Sequence, residues 1–377
     1  MASNARRKFR GFFNYWLESA FFVDKMHFLR MKKHETILLF GGTSEERRVS
    51  VATAQNVSQT LNSESTTLWF MNDVGFVFDV SQDLLLAHSN AFIQDFIPNS
   101  QAIGKNFEEA VASLKSPFPV FFFGLHGGEG ENGKMQTILE RRKISFTGSG
   151  SVASHLAFEK GLSKKIAIEL GVKIANGVEF MASSLELESF LKDRLQHEGP
   201  QILKPVDGGS SIGLFTVSDR IEIPNVISSL KKLGERRYLA ENLIFGREVT
   251  VGVLEKGGEV IALPASEVRT EKDRRFDYEG KYLGKGSLEI TPAEISSKEL
   301  EAVQKIAVTM HKALGCYGYS RTDMMIAPDG VYYLETNTLP GLTKASFLPQ
   351  QLNVAQISFK DFVQGQLERA VARNGQS

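Results

Sequence analysis

The sequence predicts an α/β protein whose C-terminal part is α+β, and three groups of segments carry that expectation. ETILLF (35–40), PVFFFGL (119–125) and KISFTG (143–148) are short apolar runs that end at or near glycine, as strands buried on both faces of a parallel sheet do. REVTVGVLE (247–255) and EVIALPASEV (259–268) instead alternate with period two around Lys256-Gly257-Gly258, an antiparallel hairpin signal. GYSRTDMMIAPDGVYYLETNT (318–338) places two further strand-like runs around Pro328-Asp329-Gly330.

Taken in order, the first strand ends at Gly41-Gly42 and a polar helix follows through Ser50 to Leu61. The second strand ends at His126-Gly127, and the third closes an N-terminal parallel α/β unit, residues 34–148. In such units ligands collect beyond the carboxyl ends of the strands, where Gly41-Gly42 and His126-Gly127 both fall. A second unit, 149–243, holds a helix from about Ala153 to Leu170, a strand Gln201–Lys204, a glycine-serine turn and a strand Ile212–Val217. The third unit, 244–377, is the strand-rich part. No internal repeat or low-complexity tract is present.

Composition narrows the function. Lys plus Arg and Asp plus Glu both number 44, so no basic excess points to nucleic acid or an anionic membrane. The single cysteine, Cys316, excludes an internal disulfide and a multi-cysteine metal site, and a reducing cytoplasm is the simplest compartment. No apolar run is long enough to span a bilayer. Residues 1–33 are basic and aromatic, but Asn14, Glu18 and Asp24 interrupt the apolar centre that a signal peptide needs. They read as a loosely ordered extension, with Met26 or Met31 as alternative starts.

Four constellations carry chemistry. A three-residue loop at 328–330 pairs Asp323 with Glu335 and Arg321 with Asn337, putting all four on one sheet face. Two carboxylates and an amide that close suit a hard cation such as Mg²⁺; the other reading is a cross-strand Arg–carboxylate surface pair. The apolar opposite face and the following NTLPGLT turn favour the cation. In LKPVDGGSSIG (203–213), Lys204 precedes a turn whose amides could wrap a phosphate, or which is simply a flexible hairpin turn. In GGTSEERRVS (41–50), Thr43 and Glu46 have capping-box spacing, so Glu46 has a structural explanation. In HGGEGENG (126–133), His126 follows a buried strand and Glu129 and Glu131 sit in a glycine-rich loop; a lone histidine there is structural or catalytic.

Together and in this order, GGTSEERRVS, HGGEGENGKMQ, FTGSGSVASHLAFEK, KPVDGGSSIG, AENLIFGREVTV, DYEGKY and SRTDMM with LETNTLPGLT resemble the D-alanine–D-alanine ligases of the ATP-grasp superfamily, over about 35–369. The resemblance implies a three-domain ATP-grasp fold with ATP clasped between the last two domains. It implies phosphate contacts from Lys160 and Lys204, adenine contacts along the segment from Glu241, and ribose contacts from Glu248. Gly209, Ser210 and Ser211 would cover the phosphates and Lys281 would reach the γ-phosphate. Asp323, Glu335 and Asn337 would hold Mg²⁺, with Mn²⁺ as an alternative. Glu46 would face the amine of the first D-alanine, with His126 near it and Ser210 and Tyr282 in its hydrogen-bonded set. Arg321 would steady the oxyanion, and Ser346 and Phe347 would touch the second D-alanine.

The implied reaction is ATP-dependent formation of D-alanyl-D-alanine through an acyl phosphate, for peptidoglycan precursor synthesis, by a cytoplasmic homodimer. The lid-like DYEGKYLGKGSLEITPAE would exclude water. Val206-Asp207 departs from the family, where a small residue and an arginine are common, and puts nucleotide affinity in question; Asn132, commonly Asp, is milder. A D-alanine–D-lactate ligase, another ATP-grasp carboxylate–amine ligase and a non-catalytic nucleotide-binding module are the alternatives, and Tyr282 argues against the first.

Overall fold

The computed structural model describes residues 35–208, 213–270 and 287–374, so the N-terminal extension lies outside it. β1 (Thr36–Gly41) leads into α1 (Arg47–Ser58), β2 (Thr66–Met71), β3 (Val77–Val80), α2 (Gln82–Ala87), β4 (Ala102–Gly104), α3 (Phe107–Ala112) and β5 (Val120–Phe123). The five strands form one sheet in the order β4-β3-β2-β1-β5. β1 runs parallel to β2 and β5, as the buried apolar runs predict, while β3 and β4 add an antiparallel edge. Leu38, Leu39, Phe40, Phe121 and Phe122 are fully enclosed at its centre. Gly41 ends β1 at φ 88°, where an added Cβ would lie 2.2 Å from the Met71 carbonyl oxygen, so only glycine fits this turn.

KISFTG is not a strand. It makes an isolated parallel bridge, Phe121 to Phe146, with two backbone hydrogen bonds to Phe121. The chain before it is already committed to helices, α4 (Gly128–Glu131) and α5 (Lys134–Arg141), and the chain after it enters α6 (Ser151–Phe158).

The predicted helix 153–170 is two helices, α6 and α7 (Lys160–Glu169), broken at Glu159. There the backbone turns extended and bridges Asp207, and the Lys160 amide donates to the Val206 carbonyl. The break places Lys160 at the start of a helix aimed into the protein. β6 (Gly177–Met181), α8 (Leu187–Glu198), β7 (Gln201–Pro205), β8 (Phe215–Val217), α9 (Ile223–Lys231) and β9 (Arg237–Asn242) follow. The strands form an antiparallel sheet, β6-β9-β7-β8, closed by a core of its own around Leu203, Val217 and Tyr238.

The last sheet holds β10 (Arg247–Lys256), β11 (Glu259–Ala262), β12 (Ser266–Thr270), β13 (Ser287–Ile290), β14 (Tyr319–Ala327) and β15 (Gly330–Asn337). Its order is β13-β12-β10-β14-β15, with β11 beside β10. The KGG hairpin forms as predicted, Lys256 opposite Glu259, but Leu263-Pro264-Ala265 splits the second run into β11 and β12. α10 (Ser296-capped, Ser297–Ala313), α11 (Phe347–Val354) and α12 (Phe359–Asn374) complete the chain.

The β14–β15 hairpin holds the predicted pairs, Asp323 with Glu335 and Arg321 with Asn337, for a different reason than the loop alone. Ala327 pairs with Gly330, so only Pro328 and Asp329 form the loop. A bulge at Leu334 then restores the shift of one residue between Met324–Tyr333 and Asp323–Glu335.

Candidate active site

The carboxyl ends of β1 and β5 and the polar face of the β14–β15 hairpin border one cleft of about 930 Å³, partly open to solvent. Glu46 and His126 line it from the N-terminal sheet; Glu248, Arg321, Asp323, Glu335 and Asn337 line it from the C-terminal sheet. Ser346 and Phe347, at the start of α11, close another side. An adjoining recess is bordered by Lys160, Gly208, Glu335 and Asn337. Gly209, Ser210, Ser211, Lys281 and Tyr282 lie outside the described residues.

Glu46 is the N-cap of α1 rather than its third residue, and the Thr43–Glu46 capping box is absent. Ser44 takes over the turn: its Oγ accepts from the Glu46 amide at 3.2 Å and donates to the His126 carbonyl at 2.6 Å. The Glu46 carboxylate instead occupies the space above Gly127, where an added Cβ would sit 2.5 Å from Oε2 at φ +66°. The structure thus removes the capping explanation for Glu46.

His126 is enclosed, and both ring nitrogens are used. Nδ1 lies 2.9 Å from the Leu339 carbonyl, which can only accept, so Nδ1 carries the proton. Nε2 then accepts from the Thr53 hydroxyl at 2.7 Å. Burial first, and Arg321 as well, push the imidazole down to about 4, so the ring is neutral. It pins the 339–342 turn, which leads to α11, onto the N-terminal sheet. Its action on a substrate is therefore through position.

Arg321 grips Asp323 with two bonds, Nε to Oδ1 at 2.8 Å and Nη2 to Oδ2 at 2.7 Å. Thr250 donates to Oδ1 at 2.5 Å and the Asn337 amide to Oδ2 at 3.2 Å. A carboxylate has about four lone-pair sites, and here all are taken. Among the described residues no group of three or more His, Cys, Asp or Glu is placed to hold a metal. The hard-oxygen set Asp323, Glu335 and Asn337 still fits Mg²⁺ if the Asn337 amide turns, withdrawing its N–H₂ from Asp323 and offering oxygen.

Lys160 is buried, with Nζ 3.3 Å from Glu335 Oε2 and bonded to the Gly208 carbonyl. Lys204 and Glu241 meet behind this recess at 2.5 Å, and Lys164, one helical turn after Lys160, meets the other Glu241 oxygen at 2.6 Å. Burial opposes Glu241 ionisation, but the two lysines outweigh it and hold the carboxyl below its usual range. Burial lowers Lys164 to about 8, Lys204 adding to the effect, while the carboxylates hold Lys204 above its usual value against burial. Lys164 was missed in the sequence, although its spacing from Lys160 puts both on one helix face. Val206 is buried, and Asp207 is half exposed facing Arg236 at 3.8 Å, so the departure from the family does not aim an anion at the recess.

Glu131, noted in the glycine-rich loop but given no role there, borders both the cleft and the recess. Burial chiefly, then the Glu46 carboxylate, push it up to about 8. In an unfolded chain it would ionise near 4.5, so the folded state holds the extra proton between these values. Its stabilisation is complete below 4.5 and lost as pH rises through about 8. The melting temperature should therefore fall as pH rises through this window, and Glu131→Gln, which stays neutral, should flatten that slope. Equal slopes for both proteins would show that Glu131 is ionised throughout.

Comparison with known proteins identifies the architecture. Residues 35–149 match the family profile described as D-ala D-ala ligase N-terminus, and 168–368 match D-ala D-ala ligase C-terminus. The chain belongs to the D-alanine–D-alanine ligase family. A D-alanine–D-alanine ligase of Leptospira interrogans is 33% identical, covering 89% of this chain and 98% of its own. The solved VanG D-Ala:D-Ser ligase from Enterococcus faecalis is 27% identical with a TM-score of 0.74, over 89% of this chain and 99% of that one. The Bacillus anthracis D-alanine–D-alanine ligase, solved in complex with ATP, shares the fold at a TM-score of 0.67 and 22% identity, over 91% and 99% of the two chains. As in these ATP-grasp ligases, the family fold sets an N-terminal α/β sheet against two antiparallel sheets. No helix among the described residues is long and apolar enough to cross a membrane.

Proposed function

We propose that this member of the D-alanine–D-alanine ligase family joins two D-alanine molecules into D-alanyl-D-alanine, with ATP as the energy source, for peptidoglycan precursors. The observation that carries the reading is one cleft in which Glu46 of the N-terminal sheet faces the Arg321–Asp323–Glu335 cluster, with Lys160 bonded to Glu335 beside it. A pocket with an anion at one wall and a guanidinium at the other suits an amino acid, whose ammonium and carboxylate have those complements.

Glu46 would bind the ammonium of the first D-alanine, held by His126 and the Ser44 turn. The carboxylate of that first D-alanine would attack the γ-phosphorus of ATP, giving D-alanyl phosphate and ADP. The amine of the second D-alanine would attack the acyl carbon, lose a proton and expel phosphate. Arg321 would stabilise the oxyanion of that second step. The first amides of α11 and Ser346 would take the second carboxylate, with Phe347 against its side chain. Lys160 and Lys204 would neutralise the triphosphate, Glu248 would hold the ribose and the segment from Glu241 would lie along the adenine. Mg²⁺, or Mn²⁺ in its place, would supply further charge neutralisation when held by Asp323, Glu335 and Asn337. The roles of Gly209, Ser210, Ser211, Lys281 and Tyr282 rest on the family resemblance, as do the homodimer, the cytoplasmic location and the division into domains at 34–148, 149–243 and 244–377.

The likeness to a D-Ala:D-Ser ligase makes the acceptor the point to test. ADP release should be measured with D-alanine, D-serine, D-lactate and L-alanine, and the products identified by mass. ADP and D-alanyl-D-alanine in equal amounts, fastest with D-alanine alone, is the expected result. No D-alanine-dependent ADP release would overturn the reading, and a preferred mixed product would reassign the acceptor.

A further inference from the structure

We propose that Gln351, a fully buried side chain on α11, is the positioning residue that sets the acceptor end of that helix against the Arg321–Asp323 pair. The proposal rests on the amino-acid ligase reading above, in which the start of α11 receives the second substrate. Gln351 follows Phe347 by one helical turn, on the same face of α11, and the Arg321 guanidinium carbon lies 6.0 Å from the Phe347 ring centroid. The hydrogen bonds of Gln351 go to the sheet that carries the site. The Gly252 amide donates to Oε1 at 2.8 Å, and Nε2 donates to the Thr250 carbonyl at 2.9 Å and to the Ser266 hydroxyl at 3.0 Å. A backbone N–H only donates and a backbone carbonyl only accepts, so these partners fix which way round the side-chain amide sits.

Those bonds fill a gap in the sheet. Along β10, pairing with β12 ends at Thr250, opposite Ser266, and pairing with β11 begins at Val253, opposite Ala262. Gly252 falls between them. Its carbonyl accepts from the Leu263 amide at 2.8 Å, and Gln351 meets its N–H, as a buried backbone donor requires. A Cβ added at Gly252 would lie 2.6 Å from both Gln351 Oε1 and Leu348 Cδ1, so α11 comes as close to β10 as a glycine allows. On β14, Arg321 stands opposite Gly252 and Asp323 opposite Thr250, whose hydroxyl donates to Asp323 Oδ1 at 2.5 Å. One side chain therefore joins the acceptor helix to the two strand positions that face the guanidinium and its carboxylate. From Ser266 a hydroxyl chain runs on to Thr291 at 2.7 Å and then to Gln350 Oε1 at 3.0 Å, which ties α11 at two consecutive residues.

Hydroxylamine tests this role, because it reacts as an acceptor that α11 cannot hold. Its nitrogen attacks the acyl carbon of D-alanyl phosphate, loses a proton and expels phosphate, giving D-alanine hydroxamate, and it has neither carboxylate nor side chain. Each protein receives ATP, D-alanine and hydroxylamine, at concentrations where the wild type forms both products, and dipeptide and hydroxamate are measured by mass in one reaction. Gln351→Met keeps the length of the side chain and removes its three hydrogen bonds, while Ser266→Ala removes one of them. A misplacement of about 1 Å costs on the order of a hundredfold, so the dipeptide-to-hydroxamate ratio should fall at least about tenfold in Gln351→Met. It should fall by less in Ser266→Ala, and the KM for ATP should not move in either. Unfolded molecules form neither product, so loss of fold lowers both yields and leaves the ratio alone. An unchanged ratio in the folded variants overturns the positioning role, whether or not total turnover drops. Wild-type protein that forms neither product from ATP and D-alanine overturns the ligase reading, and the role of Gln351 with it.

Discussion

Asp323→Asn should lower turnover by at least about a thousandfold, roughly 4 kcal/mol of transition-state stabilisation. Asp323 orders Arg321 through two bonds and takes further bonds from Thr250 and Asn337, with little of its side chain accessible. The amide keeps the shape but presents one oxygen and an N–H₂, so Arg321 loses half its fork and faces a donor. Breaking a buried pair from one side costs about 3–5 kcal/mol of stability, and the lower end applies to this partly accessible pair. The proposed cation would also lose a ligand. Thermal melting separates the two losses, and titrating Mg²⁺ in the ADP-release assay reads the ligand directly. A folded variant within tenfold of wild type and with the same Mg²⁺ dependence would reduce Asp323 to the structural half of an ion pair.

Lys204→Met should raise the KM for ATP at least about a hundredfold while moving the D-alanine KM little. The reason lies in the buried trio. Glu241 is shared by Lys204 and Lys164 at 2.5 and 2.6 Å, and the three together carry net positive charge beside the Lys160 recess. With Lys204 gone, Lys164 still compensates Glu241, so the fold should survive. Lys164→Met should likewise leave a folded protein. The double variant leaves Glu241 almost wholly enclosed without a cation, and should melt far lower than the two single effects add to. Additive melting shifts would mean that another group neutralises Glu241. An unchanged ATP KM in Lys204→Met would remove that lysine from nucleotide binding.

The hairpin shows how legible the site was and why. Alternation along β14 and β15 is a local property, so the common face of Arg321, Asp323, Glu335 and Asn337 could be read directly. The two-residue loop and the Leu334 bulge could not, because their effects cancel and only the paired strands reveal them. Helix starts were less secure. Thr43 and Glu46 have capping-box spacing, yet Ser44 holds the turn through the His126 carbonyl, a contact 82 residues away in sequence. KISFTG has a strand's composition but meets β5 at a single bridge.

By itself the sequence determined the family, through seven motifs in register, and the mixed fold, through runs of apolar residues and period-two alternation. Those signals survive in one dimension because they reflect spacing along the chain. Tertiary structure decided what each charged or polar group can do. It made His126 neutral by enclosing it, raised Glu131, placed Lys164 on Glu241 and turned Asp207 outward to Arg236. Each depends on desolvation or on a partner from a distant element, and neither is a property of the local sequence.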